Sequence, residues 1–367
     1  MSIYENRLLR LDFGEPSFPC PEEAKAEAIK YILNPDCYYA PIKGEEDLIK
    51  QITAHFEIKR NLKVEGNCIS ITTGGLMGIN SIIRVLKKNG VKKIFYPDPG
   101  FPPYSFLGEN NEIIMKPYPM IESNDTIEKL SDIAKNNLPK NVAFIITSPN
   151  NPNGMTFCSE EWNKINNLLK NQYIICDNSF ESFIYDKSKD RLPPFNDNYF
   201  HVFSFSKSYS LADYRVGYVV SPSSKWNEFI SREHWFSQLS TSVISQKAAI
   251  GALSAKKEYC EMNKLSVLNN IIYSVKLLLK NGINVQIPDG GFFIWVDITN
   301  TGYSSEEFTN FALKHYKLSV VSGDNFGKNG VNFVRINCAT DRLSLEEGLN
   351  RFVRFYNERM LEIENPI

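Results

Sequence analysis

The sequence is poor in the residues that build metal sites and disulfide frameworks. Its 367 residues include only four histidines and seven cysteines, and no two cysteines form a CxxC pair. Cysteines scattered singly have neither the spacing of a zinc site nor the pattern of a disulfide-rich secreted domain. We therefore expect no metal ion, and we expect a chain that works in the reducing cytoplasm.

An excess of one charge sign and long apolar runs are also absent. The 41 basic and 42 acidic side chains give a net charge of −1, and the two signs are interspersed. This balance argues against nucleic acid or a membrane surface as a partner. No apolar run approaches the roughly 18 residues of a membrane span, and the charged start MSIYENRLLRLDFGEPSF lacks the apolar core of a signal peptide. We expect a soluble protein.

What the chain does contain is enough apolar residues, 43% of the total, for a substantial core. Its length favours one large and one smaller domain. In the middle, apolar β-branched runs alternate with helical periodicity, which predicts a mostly parallel sheet covered on both faces. The strand candidates are 68–72, 93–96, 112–116, 142–147, 173–176, 201–205 and 216–220, and the helix candidates between them are 78–88 and 159–169.

The remaining segments suggest how the domains divide. Two helices are predicted near the N-terminus, at 22–33 and 45–60. The pattern is mainly helical over 223–281, and strands and helices then mix to the end of the chain. We expect residues 1–44 to form an N-terminal arm and part of the small domain, 45–280 the large domain, and 281–367 the small α+β domain. Repeats, low-complexity tracts and flexible linkers are lacking, so the two domains should pack closely.

Polar motifs follow the predicted strands at the points where ligands bind in open parallel sheets, beyond the carboxyl ends of the strands. In chain order they are TGGLMG, PDPGFPPY, SPNNPNG, DNSF and SKS. Taken singly, a glycine pair is most often a turn, an aspartate a helix cap and a lysine a solvated side chain. A glycine turn, an aromatic ring, an amide, a carboxylate and a lysine at one sheet edge together favour a ligand site.

With these motifs the chain resembles a fold-type I pyridoxal-phosphate-dependent enzyme of the class I/II aminotransferase family. The resemblance covers nearly the whole chain, from LDFGEPSF through YYAPIKGEEDL, SFSKSYSLADYRVGY and GGFFIWVD to FVRINCAT. It implies an α/β fold, in which a large domain with a mostly parallel seven-stranded sheet is joined by a small α+β domain. It also implies pyridoxal 5′-phosphate as the cofactor. The motifs are specific for the family, although not for one reaction.

The resemblance makes Lys207 the amine that forms a Schiff base with the cofactor. This chemistry needs an unprotonated amine, and burial together with nearby positive charge lowers the pKa of a lysine. Arg215 is expected to supply that charge and to bind the cofactor phosphate as a planar fork. Ser204 or Ser206 is expected to add a hydroxyl to the phosphate, and Ser204 matches the family position better.

Other cofactor contacts follow from the same resemblance. Gly75 and Leu76 are expected to present backbone N–H groups to the phosphate at a helix N-terminus. Leu76 replaces a residue that is often polar, so binding there depends on the backbone. Asp177 is expected to face the pyridine nitrogen and keep the ring protonated. Asn151 is expected to hydrogen-bond the phenolic oxygen, and Phe101 to stack on the ring.

The substrate and a second subunit are expected to use three further residues. Arg335 resembles the arginine that grips the α-carboxylate of the substrate. Gly14, in the N-terminal arm, is expected to lie close to the same carboxylate. Tyr39 resembles the tyrosine that reaches the phosphate of a neighbouring subunit, which implies a homodimer with shared active sites.

Some positions depart from the family pattern. Phe180 replaces a tyrosine whose hydroxyl donates to the phenolic oxygen of the cofactor. Ser322 replaces a proline, and LADYRVGY lacks the usual glycine before its aromatic residue. We expect an aminotransferase acting on an L-amino acid, with a keto acid as the second substrate. A cyclase, lyase or oxidase acting on an amino acid, for example an arginine-like one in specialised metabolism, stays open as the alternative. A non-catalytic regulator is disfavoured, because the family's key lysine, aspartate, asparagine and both arginines are present.

Overall fold

The structure of the protein, a computed structural model, describes residues 7–135, 138–139 and 141–364. Strands and helices alternate through the first two thirds of this region and mix again near its end. The strands are β1 (Leu9–Arg10), β2 (Ile69–Thr72), β3 (Lys93–Asp98), β4 (Ile114–Pro119), β5 (Val142–Thr147), β6 (Tyr173–Asp177), β7 (Tyr199–Ser204), β8 (Gly217–Val220), β9 (Phe293–Asp297), β10 (Leu318–Ser319), β11 (Val321–Ser322) and β12 (Phe333–Asn337). The helices are α1 (Glu22–Leu33), α2 (Glu46–Arg60), α3 (Gly74–Lys88), α4 (Pro103–Asn111), α5 (Ser123–Lys135), α6 (Ser159–Leu168), α7 (Phe205–Ser208), α8 (Ser224–Gln238), α9 (Val243–Ser254), α10 (Lys257–Lys280), α11 (Ser305–Tyr316) and α12 (Arg342–Glu364).

A seven-stranded sheet with the order β2-β8-β7-β6-β5-β3-β4 forms the centre of the molecule. Strand β8 runs antiparallel to both of its neighbours, and the other adjacent pairs are parallel. The predicted mostly parallel seven-stranded sheet is therefore confirmed. Parallel strands must cross over between neighbours, so their carboxyl ends meet at one edge, and the loops that follow them lie together there.

Helices cover both faces of this sheet, which explains why strand β5 (VAFIIT) is buried at every residue. Side chains of a strand alternate between the two faces. On one face Ile145 packs with α3 residues such as Ile82, while Phe144 and Ile146 on the other face pack against Trp162 of α6. A continuous apolar run is what a strand buried on both sides requires.

Another core lies around the smaller antiparallel sheet β11-β12-β9. Helices α10, α11 and α12 pack on this sheet, and Leu9 and Leu11 of the N-terminal arm join the same core. Strand β1 pairs in parallel with β10, with Leu9 opposite Leu318, so the arm is held beside the C-terminal block. The division of the chain at residues 44/45 and 280/281 stays a prediction.

Several element bounds differ from the predictions for local reasons. Residues 112–116 are not one strand, because α4 ends where Glu112 adopts a left-handed backbone (φ 49), and β4 begins only at Ile114. Helices α4 and α5 were not predicted. Strand β7 ends at Ser204, since the next residue begins α7. In the described part of the chain, no helix is long and apolar enough to cross a membrane.

Candidate active site

Lys207 lies in the short helix α7, directly after β7, at the carboxyl edge of the sheet. Ser204 caps this helix and accepts a hydrogen bond from the backbone N–H of Ser206 at 3.2 Å. The Lys207 Nζ donates to the backbone carbonyl of Gly14 at 2.7 Å. Burial lowers the pKa of Lys207 to about 8, and the charge of Glu15 opposes this shift. A larger fraction of the amine is therefore unprotonated near neutral pH than for an ordinary lysine.

Arg335 and Arg215 lower the pKa of Lys207 further, by their positive charges. Both guanidinium groups therefore act on the same amine, although they belong to different parts of the fold. Arg215 precedes β8 of the large sheet, whereas Arg335 lies within β12 of the small one. A cleft of about 560 Å³ is lined by Lys207 and Arg215, and Glu15 and Asp213 also line it.

The glycine turn at the start of α3 faces Arg215. Gly74 has φ +76, and a Cβ atom there would lie 2.6 Å from the Arg215 Nη2, so only glycine allows the guanidinium this close. At Gly75 a Cβ would lie 3.5 Å from the side chains of both Ser179 and Ser204. A helix N-terminus, two serine side chains and a guanidinium thus lie close together. This combination suits a dianion such as a phosphate group.

The backbone of Arg215 is itself unusual, with a left-handed φ of 53. For a residue with a side chain, this conformation costs roughly 1–3 kcal/mol, and such strain collects at functional sites. The Arg215 Nη1 donates to the carbonyl of Ala212 at 2.9 Å, which orients the exposed guanidinium. The side chain of Leu76 is partly buried and packs against the sheet core. A contact between its backbone N–H and a phosphate stays a prediction.

Asp177, at the end of β6, is held from two sides. Its Oδ2 accepts from the Tyr104 hydroxyl at 2.6 Å. Its Oδ1 accepts from the hydroxyl and the backbone N–H of Ser179, at 2.6 and 3.0 Å. Burial, with the charge of Asp177 next, raises the pKa of Tyr104 well above its ordinary value, so the phenol stays a neutral donor. The buried carboxylate is thereby fixed in one orientation.

Sequence reasoning missed both partners of Asp177. Tyr104 follows Phe101 by three residues in FPPY, and the two rings meet edge to face with centroids 5.5 Å apart. Tyr104 lies in the first turn of a helix that follows a strand of the sheet, and this position was the sequence signal that could have identified it. Ser179 belongs to the quoted DNSF motif. A role for Phe101 in stacking on a cofactor ring stays a prediction.

Arg335, in the middle of β12, is 6% exposed. Its Nη1 donates to Oδ1 of Asn151 at 2.9 Å and its Nη2 to the carbonyl of Asp12 at 3.1 Å. The guanidinium lies 4.0 Å from the centroid of the Phe293 ring. Burial lowers the pKa of Arg335 to about 9. Its buried Nε has no hydrogen-bond partner among the described residues. A buried guanidinium in this state is suited to a carboxylate ligand.

The structure also places Gly14, Tyr39 and Phe180. The backbone of Gly14 contacts Lys207, whereas the contact of the arm with Arg335 is made by Asp12. Tyr39 is 77% exposed on the loop between α1 and α2, so a role in a second subunit stays a prediction. Phe180 is buried against Phe292 and Phe293, with ring centroids 5.1 and 5.7 Å away.

Comparison with known proteins agrees with the fold. The family described as aminotransferase class I and II matches residues 6–352. The aspartate aminotransferase of Pyrococcus horikoshii is 30% identical over 366 residues, covering 94% of this chain and 89% of that protein. The aromatic-amino-acid aminotransferase 2 of Thermococcus litoralis is 27% identical, covering 96% and 93%. The crystal structure of aspartate aminotransferase from Thermotoga maritima superposes with a TM-score of 0.86 at 23% identity, over 95% of this chain and 92% of that one. The chain belongs to the aminotransferase class I and II family and is an enzyme with the fold-type I architecture.

Proposed function

We propose that the protein transfers amino groups between an L-amino acid and a keto acid, with pyridoxal 5′-phosphate bound as a Schiff base to Lys207. The observation that carries this proposal is one amine, of lowered pKa, influenced by two arginines from different sheets. Arg215 faces a helix N-terminus, and Arg335 has a buried Nε without a partner in the described part of the chain. The cofactor and an amino acid together bring two anionic groups, a phosphate and an α-carboxylate.

The residues around Lys207 fit this cofactor. The N–H groups of Gly75 and Leu76, the hydroxyl of Ser204 and the guanidinium of Arg215 would hold the phosphate. Ser206 is buried and gives its backbone N–H to Ser204, so we assign its hydroxyl a lesser role. When bound, pyridoxal phosphate supplies an electron sink that stabilises negative charge at the α-carbon of the substrate.

Residues near the carboxyl edge of the sheet would contact the ring of the cofactor and its phenolic oxygen. Asp177, held by Tyr104 and Ser179, would accept a hydrogen bond from the ring nitrogen. Asn151 would donate its amide N–H₂ to the phenolic oxygen, because its Oδ1 already accepts from Arg335. Phe101 would cover one face of the ring.

The reaction needs the substrate held in one orientation and a base next to its α-carbon. Arg335 would bind the α-carboxylate as a planar fork, and Gly14 would lie beside it. A carboxylate bound in this way would limit the orientations of the substrate beside Lys207. The Nζ of Lys207 would accept the proton that leaves the α-carbon, since a base with a pKa of about 8 is well matched to neutral pH.

Two finer points belong to this proposal. The active unit is a homodimer in which Tyr39 of one subunit contacts the phosphate of the other, and the 77% exposure of this side chain supports that role. The relatives named above carry the names of aspartate and aromatic-amino-acid aminotransferases, so amino acids of these two kinds are the first substrates to test.

A cyclase, lyase or oxidase acting on an amino acid is the second candidate, and Phe180 favours it. Phe180 brings no hydroxyl to the position where family members hydrogen-bond the cofactor, and its ring is 6% exposed among other aromatic rings. Loss of one donor changes the electronics of the bound cofactor and can shift the balance between reactions.

The two candidates differ in whether a keto acid is consumed. The purified holoenzyme is incubated with each amino acid, with and without a 2-oxo acid, and the amino acid, keto acid, ammonia and oxygen are quantified. An aminotransferase consumes the amino acid and the keto acid one for one and releases no ammonia. Turnover of the amino acid without a keto acid would instead establish the second candidate. No change in the absorption spectrum with any amino acid would contradict both.

A further inference from the structure

A buried carboxylate at the end of β3 joins the large sheet to a turn of the C-terminal block. Asp98 is the last residue of β3 and is 5% exposed. Its carboxylate accepts the backbone N–H groups of Lys328 and Asn329 at 3.2 and 3.1 Å. The Asn329 side-chain amide donates in turn to the Asp98 carbonyl at 3.2 Å. One residue of the large sheet thus binds a turn of the C-terminal block through three hydrogen bonds.

The turn is shaped to receive this carboxylate. Gly327 has φ +121, and a Cβ atom there would lie 2.3 Å from the Asp98 Oδ1. Only glycine can bring the backbone so close, and successive N–H groups in such a turn form an anion-binding concavity. On the other side, the N–H of Gly100 donates to the Phe326 carbonyl at 2.9 Å. We name the contacts among residues 98–100 and 326–329 the Asp98 latch.

The latch connects two parts of the candidate active site. Gly100 directly precedes Phe101, the residue expected to stack on the cofactor ring. Phe326 lies with its ring centroid 5.0 Å from the guanidinium of Arg335, and its ring meets Trp295 edge to face at 5.6 Å. A shift of the turn would move an aromatic ring away from the arginine and would also break the hydrogen bond between Gly100, just before Phe101, and the Phe326 carbonyl.

We propose that Asp98 is a positioning residue, which sets the placement of Arg335 relative to the loop of Phe101 and so determines the affinity for the α-carboxylate of the substrate. This inference rests on the proposed function, because it takes Arg335 as the carboxylate ligand. Asp98 does not touch the reacting atoms and acts through Phe326. A carboxylate that only stabilises the fold would affect unfolding, but not the affinity for substrate.

The test compares three variants with the wild type. Asp98→Ala removes both acceptors, and Asp98→Asn keeps the size but replaces one acceptor oxygen by a donor. Lys328→Ala is the matched control, because the exposed Lys328 side chain can be lost while its backbone N–H still binds Asp98. The first readout is hydrogen exchange of the amides of Lys328 and Asn329 in the cofactor-free protein. The second is KM and kcat of the holoenzyme with its best amino acid.

Both Asp98 variants should exchange these amides faster than the wild type does, and KM should rise roughly tenfold while kcat changes little. Lys328→Ala should match the wild type in both readouts. Fast exchange with an unchanged KM would overturn the positioning role, as would unchanged exchange. If Asp98→Ala does not fold, Asp98→Asn decides by the same criteria.

A failure of the proposed function has a different signature. The wild type itself would then bind no pyridoxal phosphate or turn over no amino acid. In that case the affinity for acetate, titrated into the cofactor-free protein and followed by the NMR signal of the Arg335 guanidinium, replaces KM. Acetate binding weakened roughly tenfold in Asp98→Ala supports the latch, and equal binding in both proteins overturns it.

Discussion

The hydroxyl of Tyr104 lies 2.6 Å from the Oδ2 of Asp177 and ties α4 to the end of β6. The same hydroxyl lies 2.9 Å from the Thr147 Oγ1, at the end of the neighbouring strand β5. Three elements of the sheet edge therefore meet at one buried phenol. In the proposed site, this contact orients the carboxylate that would face the ring nitrogen of the cofactor.

Replacing Tyr104 by phenylalanine tests that role. Tyr104→Phe removes a hydrogen bond to a charged group, which costs about 1.5–3 kcal/mol. We expect kcat to fall about tenfold or more, because Asp177 loses its orientation, while KM changes less. Steady-state kinetics and chemical unfolding measure the two effects.

Tyr118→Phe is the matched control, since Tyr118, on strand β4, is a tyrosine as deeply buried as Tyr104. Its hydroxyl donates to the carbonyl of Ile145 at 2.9 Å, away from Asp177. This variant should lose stability but keep the kcat of the wild type. Equal losses of kcat in both variants would mean that Tyr104 acts only through folding.

The lowered pKa of Lys207 predicts how stability depends on pH. Burial depresses this pKa from about 10.5 to about 8. Between these two values the unfolded chain binds more protons than the folded one, so the contribution of Lys207 to the unfolding free energy rises with pH. We compare the unfolding free energies of the cofactor-free wild type and the cofactor-free Lys207→Met variant. The wild-type value minus the variant value should increase by roughly 2–3 kcal/mol from pH 7 to pH 10.5.

Urea unfolding of both proteins across this pH range measures the difference directly. Lys207→Met keeps a long unbranched side chain and cannot be protonated. Lys189→Met is a suitable control, because Lys189 forms a salt bridge with Asp289 outside the cleft. A wild-type-minus-Lys207→Met difference that stays flat with pH would show that the amine is not desolvated in the folded protein.

Restoring a hydroxyl at Phe180 tests the departure from the family pattern. Phe180→Tyr would place a donor near the phenolic oxygen of the bound cofactor and stabilise its deprotonated form. The pKa of the visible absorption band of the holoenzyme should fall by about one to two units. Transamination should increase relative to any other reaction of the enzyme, and cofactor affinity should change little.

Phe183→Tyr adds the same hydroxyl to the same aromatic group, where the Phe183 ring lies 5.5 Å from that of Phe292. This control should leave the pKa of the absorption band unchanged. Identical pKa values in wild type and Phe180→Tyr would mean that Phe180 does not face the phenolic oxygen.

Much of the fold was readable from the sequence because its signals are local. Strand β5 is an almost continuous apolar run, and α2 buries Leu48, Ile52 and Phe56 at helical spacing. The start of β4 was misplaced because Glu112 ends a helix in a left-handed conformation, which a non-glycine residue adopts rarely. The pairing of β1 with β10 joins residues far apart in the chain and had no sequence signal.

The candidate site residues could be predicted where they belong to motifs that occur in a fixed order along the chain. The structure brings Lys207, Arg215 and Arg335 close enough to influence one amine. Their partners were not predictable, because a phenol on α4 or a carbonyl in the N-terminal arm reaches its target only through the tertiary fold. The hydrogen bond from Tyr104 to Asp177 and the contacts of the Asp98 latch are both of this long-range kind.

Reduction of the holoenzyme with borohydride tests the central claim most directly. The protein is loaded with pyridoxal 5′-phosphate, reduced, digested and analysed by mass spectrometry, with Lys207→Ala treated in parallel. The proposed function predicts one cofactor per chain, fixed on the peptide that contains Lys207, and no fixed cofactor in Lys207→Ala. A reduced adduct on another lysine, or an equal adduct in Lys207→Ala, would contradict it.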